Sequence, residues 1–498
     1  ELFKDIPVSR YSEYCGVPEE ALRKLSRRLA RAKSIAWYED LGVQMNRNST
    51  LVSYLHRIAW LITGSFGKKG SQFIPNSIRP LMSGNPSLAK KSPVLGVPLL
   101  SGLVPCNVVA EEILSDHPDR YRAMIIESAN PAHSTADTKK FILAMRELEC
   151  TVVIDIAMTE SARNADYVLP ASTQYEKAEA TFFNFEYPNN YFHLRHPIFD
   201  PPENSDVLPE AEIHSRLLTA LGEMPKEIKI LKKHIQEHGR MGFFEKFNEV
   251  AKTNHNIQKY APVVLYETLG KSLPKGLEQS ALLWSTAHFV ANRESESLHR
   301  AGIEGENQDL GENFFESMIK NPRGVIFSRD EELSSWSRVR TSDGKIRADI
   351  PELFEEIKSL NKGPKVITND RFPLVLSAGE RRPYTANCVI RNPHWRKKDQ
   401  DGALRISLND ASDLGLKTGD EALLSTAYGQ TTVTVEISDR MMDGHISLPN
   451  GQGMDTKDEA GQLERRGTAN NELTGSGHRD FFAGTPWHKY IPAKISLA

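Results

Sequence analysis

Apolar positions along this chain change their spacing three times. In "PEEALRKLSRRLARAK" (18–33) leucines recur three and four residues apart, a proline stands at a first-turn position and basic side chains close the run, which predicts a helix. "SIAWYEDLGV" (34–43) then predicts a strand. A polar loop, "QMNRNST", leads into a second predicted helix, "LVSYLHRIAWLIT", with Asn48 or Ser49 as the expected cap and Gly64 as the expected terminator. "GSFGKKG" follows as a flexible, glycine-rich exit.

Further on, "RAMIIES" (122–128), "CTVVIDIA" and "DYVLPA" are near-continuous apolar runs of strand length. Between the first two, "ADTKKFILAMRELE" places Phe141, Ile142, Met145 and Leu148 on one helical face, with Ser134 or Thr135 as its expected cap. Strand, helix and strand joined by short links predict a βαβ crossover and a parallel sheet covered on both faces. Residues 203–360 turn mainly helical through "EAEIHSRLLTALG", "KEIKILKKHIQEHG", "SALLWSTAHFVANR" and "PELFEEIKSL". "NKGPKVITNDRFP" (361–373) has the composition of a linker. From 373 the period drops to two in "PLVLSAG", "ALRISL", "DEALLSTAYG", "QTTVTVEIS" and "GHISLPNG", with turn signals between them and only "NDASDLGL" helical. The expected fold class is α/β: a parallel-sheet α/β domain over 1–202, a helical insertion over 203–360 and a C-terminal β-barrel over 373–498.

Composition narrows the function classes. A chain of 498 residues is too long for one core. Its net charge of −3 and lack of a long basic run give no reason to expect nucleic acid. No apolar run reaches the about 18 residues that span a bilayer. Cysteines stand at 15, 106, 150 and 388 without a CxxC pair, so an iron-sulfur or structural zinc site made by this chain alone is not expected, and Cys15 reads as structural. Sparse cysteine suits a reducing, cytoplasmic setting. "ELFKDIPVSRYSEYCGVPEEAL" has neither an initiator Met nor an apolar leader and reads as the interior of a longer protein or a processed terminus, which leaves an upstream signal peptide open.

The chemistry-bearing stretch is "DIAMTESARNADYVLPAS" (155–172), a polar loop between two apolar runs. Ligands of open parallel sheets bind at the carboxyl ends of strands, where this loop and "SANPAHS" both lie. Asp155 offers two oxygens to paired N–H donors such as a guanine edge. Thr159, Glu160 and Ser161 suit either a ribose or the capping of the next helix. A GxGxxG loop is absent after every strand, so ordinary NAD or FAD binding is not expected.

In order along the chain, "LGVQMNRNSTLVSYLHRIAWLITGSFGKKG", "SANPAHS", "VVIDIAMTESARNADYVLPASTQYEKAEATF", "LSAGERRPYTAN", "GHISLPNG", "NNELT" and "GTPWHKY" resemble the molybdopterin oxidoreductases, the group of dimethyl sulfoxide reductase, formate dehydrogenase and nitrate reductase. The resemblance covers most of 34–205 and 373–498. It implies a barrel of the molybdopterin-dinucleotide-binding type and a bis-molybdopterin guanine dinucleotide cofactor with Mo or W. It implies two-electron redox chemistry on a small-molecule substrate, with an electron-transfer subunit or domain as partner. Its cofactor contacts map onto Asn130, Pro131, Asp155, Thr159 and Glu160, and in the barrel onto Arg381, Arg382, Tyr384, Asn387, His445, Asn450, Asn471 and Lys489. Arg and Lys would meet pyrophosphate, and Asn would pair with pterin or guanine edges. Gln44, Asn46 and Arg47 become candidates for the substrate funnel, whereas Tyr54 and His56 read as packing. Family members usually begin with a cysteine-rich iron-sulfur segment and then supply Cys, selenocysteine or Ser to the metal. Neither can be placed here, which implies a chain lacking its N-terminal third, without a complete metal site.

Overall fold

The computed structural model describes residues 7–79, 90–182, 184–360, 362–363, 366–380, 391–396, 399–458 and 460–498. Two helices open it, α1 (Val8–Cys15) and α2 (Glu19–Arg31), neither with a buried residue. Residues 34–40 are not a strand. Among the described residues no strand pairs with them; Gln72 Nε2 donates to the Trp37 carbonyl instead, and Asp40 accepts from Leu41 N to start a single helical turn, Leu41–Gln44. Helix α3 (Ser49–Ile62) ends at Gly64, whose φ of +62° suits glycine. Its amino end is not capped by the Asn48 side chain. The cap is Asp480, from the far end of the chain. Leu51 and Tyr54 of α3 pack against Leu353 and Ile357 of the helix Pro351–Leu360, and Tyr54 Oη donates to Ala348 O at 2.7 Å.

The three apolar runs form the parallel sheet β1 (Ala123–Glu127), β2 (Cys150–Asp155) and β3 (Tyr167–Pro170), in that order. Helix α4 (Thr138–Glu147) covers one face, with Phe141, Ala144 and Met145 against Ile126 and Val153. Its cap is Asp137, which accepts from Lys140 N, rather than Ser134 or Thr135. Those two residues close the preceding turn, Pro131–Ser134, so the helix starts later than the polar run suggests. Helix α5 (Glu210–Ala220) covers the other face, where Ile213 meets Ile154 and Ala171.

A large helical core follows. To the four anticipated helices the fold adds Phe243–Thr253, His255–Lys259, Ala261–Glu267 and Asn307–Lys320. Its core also recruits Ile78, Phe192 and Leu194, because Asn189–Phe192 pairs antiparallel with Val325–Arg329. No helix among the described residues is long and apolar enough to cross a membrane.

The last region is a closed barrel of six strands: β4 (Leu374–Glu380), β5 (Leu404–Ile406), β6 (Glu421–Thr426), β7 (Gln430–Ile437), β8 (His445–Pro449) and β9 (Ile491–Leu497). They are ordered β6-β7-β5-β8-β4-β9. Alternate residues point inward, for example Ala422 and Leu424 on β6 and Val433 and Val435 on β7. Leu408–Asp413 supplies the expected helix. Strand β9 was not anticipated: Pro492 interrupts its pattern, yet Ile491, Ala493 and Ile495 alternate inward and close the barrel between β6 and β4.

Candidate functional site

The polar loop after β2 turns toward the barrel. Asp155 Oδ1 accepts from Ile156 N (2.7 Å) and Ala157 N (3.2 Å), a local turn that leaves the side chain half-buried. Burial raises its pKa above the usual carboxylate value against the pull of those two N–H groups and of Arg391. Thr159 Oγ1 accepts from Ala162 N at 3.2 Å and caps the turn Ala162–Asn164. Glu160 is buried and crosses to the barrel. Its Oε1 meets Arg391 Nη2 at 2.9 Å and accepts from Asp455 N at 2.7 Å, while Oε2 accepts from Asn130 Nδ2 at 2.5 Å. Burial alone would raise this carboxyl, but Arg391, Asn130 and the Asp455 N–H outweigh it and hold the pKa at about 2. Ser161 N and Oγ donate to Asn130 Oδ1 (3.1 and 2.9 Å), and Ser161 Oγ accepts from Ala132 N. Asn130, Glu160, Ser161, Arg391 and Asp455 thus form a polar staple between sheet and barrel.

In front of the staple lies a cleft of about 510 Å³. Asp40, Leu41, Gly42 and Met45 form its outer lip, and His133 and Ser134 after β1 form one wall. The opposite wall is the carboxyl end of the parallel pair β4–β8, with Ser377–Glu380, Ser447 and Asn450–Gln452. Asn470, Asn471, His488 and Lys489 complete it. Asn471 Nδ2 donates to His133 O (2.7 Å) and Lys489 N to Met45 O (3.2 Å), so two of the anticipated residues join the walls to one another, while Asn450 N donates to Glu380 O (2.7 Å) within the β4–β8 wall. Gly379 holds a φ of +81°, a backbone conformation that favours glycine; a Cβ there would meet only Lys489 Nζ, at an ordinary contact distance of 3.7 Å.

Two side chains beside the cleft are left unsatisfied. Asn470 Nδ2 donates to Pro449 O, but its Oδ1, shielded from solvent, has no partner. His488 Nε2 is likewise shielded and unpartnered. Burial, reinforced by the Lys489 charge, pushes the His488 pKa down to about 4, so the ring is neutral. Burial also lowers the pKa of His133. Buried unpaired atoms occur elsewhere in the fold too, at Asn76 Nδ2 and Asn107 Nδ2 for example; Asn470 Oδ1 and His488 Nε2 belong to residues lining a cleft, where a polar guest would pair them. The donor set, with amide edges, one lysine and neutral imidazoles, suits a long molecule carrying hydrogen-bonding rings and phosphate. Among the described residues no group of three or more His, Cys, Asp or Glu is placed to hold a metal ion.

Other anticipated residues fall elsewhere. Asn130 and Pro131 stand behind the cleft and start the turn that presents His133 and Ser134. His445 is at the opposite end of the β4–β8 ladder, paired with Val375, and does not line the cleft. Gln44 is exposed, the Asn46 side chain accepts from Asn48 N, and the Arg47 guanidinium lies 5.7 Å over the Trp487 ring. Arg381, Arg382, Tyr384 and Asn387 lie outside the described residues, as does Cys388; they directly follow cleft-lining Glu380. Ser377, Gly379, Glu380, Asn470 and His488 were not anticipated, although they sit inside the stretches "LSAGERRPYTAN", "NNELT" and "GTPWHKY". Arg391 and Asp455 had no local signal at all.

Two family models match the chain: Molybdopterin oxidoreductase over residues 65–205 and Molydopterin dinucleotide binding domain over 374–492. The chain belongs to the molybdopterin oxidoreductase family. Both matched segments line the cleft. It is similar to the F420-dependent formate dehydrogenase subunit alpha of Methanocaldococcus jannaschii, 22% identical over 90% of this chain and 58% of that relative. It is also similar to the trimethylamine-N-oxide reductase of Vibrio parahaemolyticus, 33% identical over 21% of this chain and 12% of the relative. Among solved structures, acetylene hydratase from Pelobacter acetylenicus shares the fold over 99% of this chain and 65% of its own, with a TM-score of 0.59 and 15% identity. The chain spans less than two thirds of the length of each of these two curated relatives. Family membership supports a molybdopterin cofactor.

Proposed function

We propose that the cleft receives the dinucleotide arm of a bis-molybdopterin guanine dinucleotide cofactor carrying Mo or W, and that this chain is the catalytic-subunit portion of a two-electron oxidoreductase. One observation carries the reading: the two family-matched segments meet across a cleft whose wall leaves Asn470 Oδ1 and His488 Nε2 unpaired. Asn450, Asn471 and Lys489 would hold the guest directly, with Lys489 on phosphate. Asp155, half-buried with one oxygen committed to its own turn, would offer the other to a guanine edge. Asn130, Pro131, Thr159 and Glu160 would act through the staple and the turns they shape. When bound, the group supplies the redox centre; the protein supplies orientation and electrostatics. The organisation proposed with it is an α/β domain, a helical scaffold and the barrel, with a small-molecule substrate and an electron-transfer subunit or domain as partners.

The test is metal analysis with mass spectrometry of extracted nucleotide, made on full-length protein from a host that makes the pterin. Guanine nucleotide together with Mo or W is the expected result, and absence of all three overturns the reading. Asp155→Ala should lose nucleotide while keeping the fold; full occupancy in that variant discards the guanine contact.

A narrower reading, a formate dehydrogenase alpha-type subunit, is favoured by the match that runs along 90% of the chain. Formate-dependent dye reduction by the full-length protein separates it from its relatives.

A further inference from the structure

The segment from Asn470 to Lys489 begins and ends in the cleft, and its middle is tied to the α/β layer. Asp137 N donates to Asn471 O at 3.1 Å, and Arg479 Nη2 meets Glu111 Oε2 at 3.2 Å beside Lys140 Nζ, 2.9 Å from the same carboxylate. The next tie is Asp480, 1% exposed. Its Oδ2 accepts from Thr50 N (3.2 Å) and its Oδ1 from Thr50 Oγ1 (2.7 Å), 430 residues away in sequence. Thr50 is the second residue of α3, the position whose free N–H a capping oxygen normally takes. Asp480 Oδ1 also accepts from Phe482 N (3.0 Å) and Ala483 N (2.8 Å), fixing the turn that sends Trp487–Lys489 back to the cleft. Immediately before α3 the same strap is met twice more, by Met45 O under Lys489 N and by Arg47 over Trp487.

We propose that Asp480 is a positioning residue: by capping α3 through Thr50 it fixes the 44–47 loop against the 470–489 strap, so that the outer lip of the cleft and its cofactor-facing wall move as one body. Its functional consequence rests on the cofactor reading above; the coupling itself is internal to the protein. A carboxylate buried against four neutral donors is a costly device for shaping a surface turn, and its charge is well placed at a helix amino end.

Hydrogen exchange on the full-length protein tests this. Asp480→Ala should speed exchange of the amides of residues 45–52 by about tenfold, as loss of a cap does, while the barrel strands 421–437 exchange as before. Thr50→Val should give part of the same effect. The double variant should exceed Asp480→Ala little, and Asp480→Asn, which keeps one acceptor but turns the other oxygen into a donor, should restore the protection only in part. Additive effects, unchanged exchange at 45–52, or equal acceleration throughout the chain would overturn the proposal. Guanine nucleotide dissociation, followed on the same samples, should quicken in Asp480→Ala. Samples that never carry nucleotide yet show the local exchange change discard the cofactor reading and leave the coupling standing.

Discussion

Two polar clusters face one another at the junction of sheet and barrel, and they are built on opposite rules. In the staple, both Glu160 oxygens and the Asn130 amide oxygen have protein partners, and the Glu160 pKa is held at about 2. Beside the cleft, Asn470 Oδ1 and His488 Nε2 have none, and the His488 pKa is pushed down to about 4. A paired buried network specifies a structure; unpaired atoms in a concave wall cost stability until a guest arrives. Both clusters perturb pKa values, so perturbation alone does not tell binding from architecture. Satisfaction does.

The largest expected effect breaks the staple. Glu160→Ala leaves Arg391 and Asn130 facing one another without their acceptor and should destabilise the protein by about 3–5 kcal/mol, read as a lower denaturation midpoint in urea. Acid separates the clusters. Glu160 is depressed on folding, so its contribution is whole above about pH 4.5 and is lost as pH falls toward about 2, on the order of 3 kcal/mol. His488 is also depressed, so the unfolded chain binds its proton first; stability falls from about pH 6.5 down through about pH 4. Denaturation midpoints measured against pH in His488→Phe should lose the upper window and keep the lower one. The same substitution removes an unpaired ring nitrogen, so the ligand-free protein should gain about 1 kcal/mol in thermal unfolding while nucleotide retention falls. A ligand-free protein destabilised by that substitution would place His488 with the staple rather than the cleft. Smallest, Asn471→Ala forfeits the hydrogen bond to His133 O and the long one from Thr474 Oγ1, together about 1 kcal/mol, and should weaken retention more than folding.

What the sequence determined by itself is what depends on near neighbours. Apolar runs of strand length around an amphipathic helix were sufficient for the parallel sheet, and period-two alternation was sufficient for five of the six barrel strands. The motif stretches led to Asn450, Asn471 and Lys489 in the cleft, whereas Asp155 and Thr159 shape turns after β2 and do not line it. Only the tertiary structure decided where long-range partners fell. Residues 34–43 carry a strand's pattern but have no strand beside them, and ladder hydrogen bonds need two partners. Asn48 stands where a cap should, yet Asp480 takes the bond. Glu160 read as a ribose contact or a helix cap from its own loop, and as a cofactor contact from the resemblance; the partners it takes, Arg391 and Asp455, are more than two hundred residues away in the chain. Capping and charge pairing act over a few ångströms of space at any sequence separation, so no local pattern announces them.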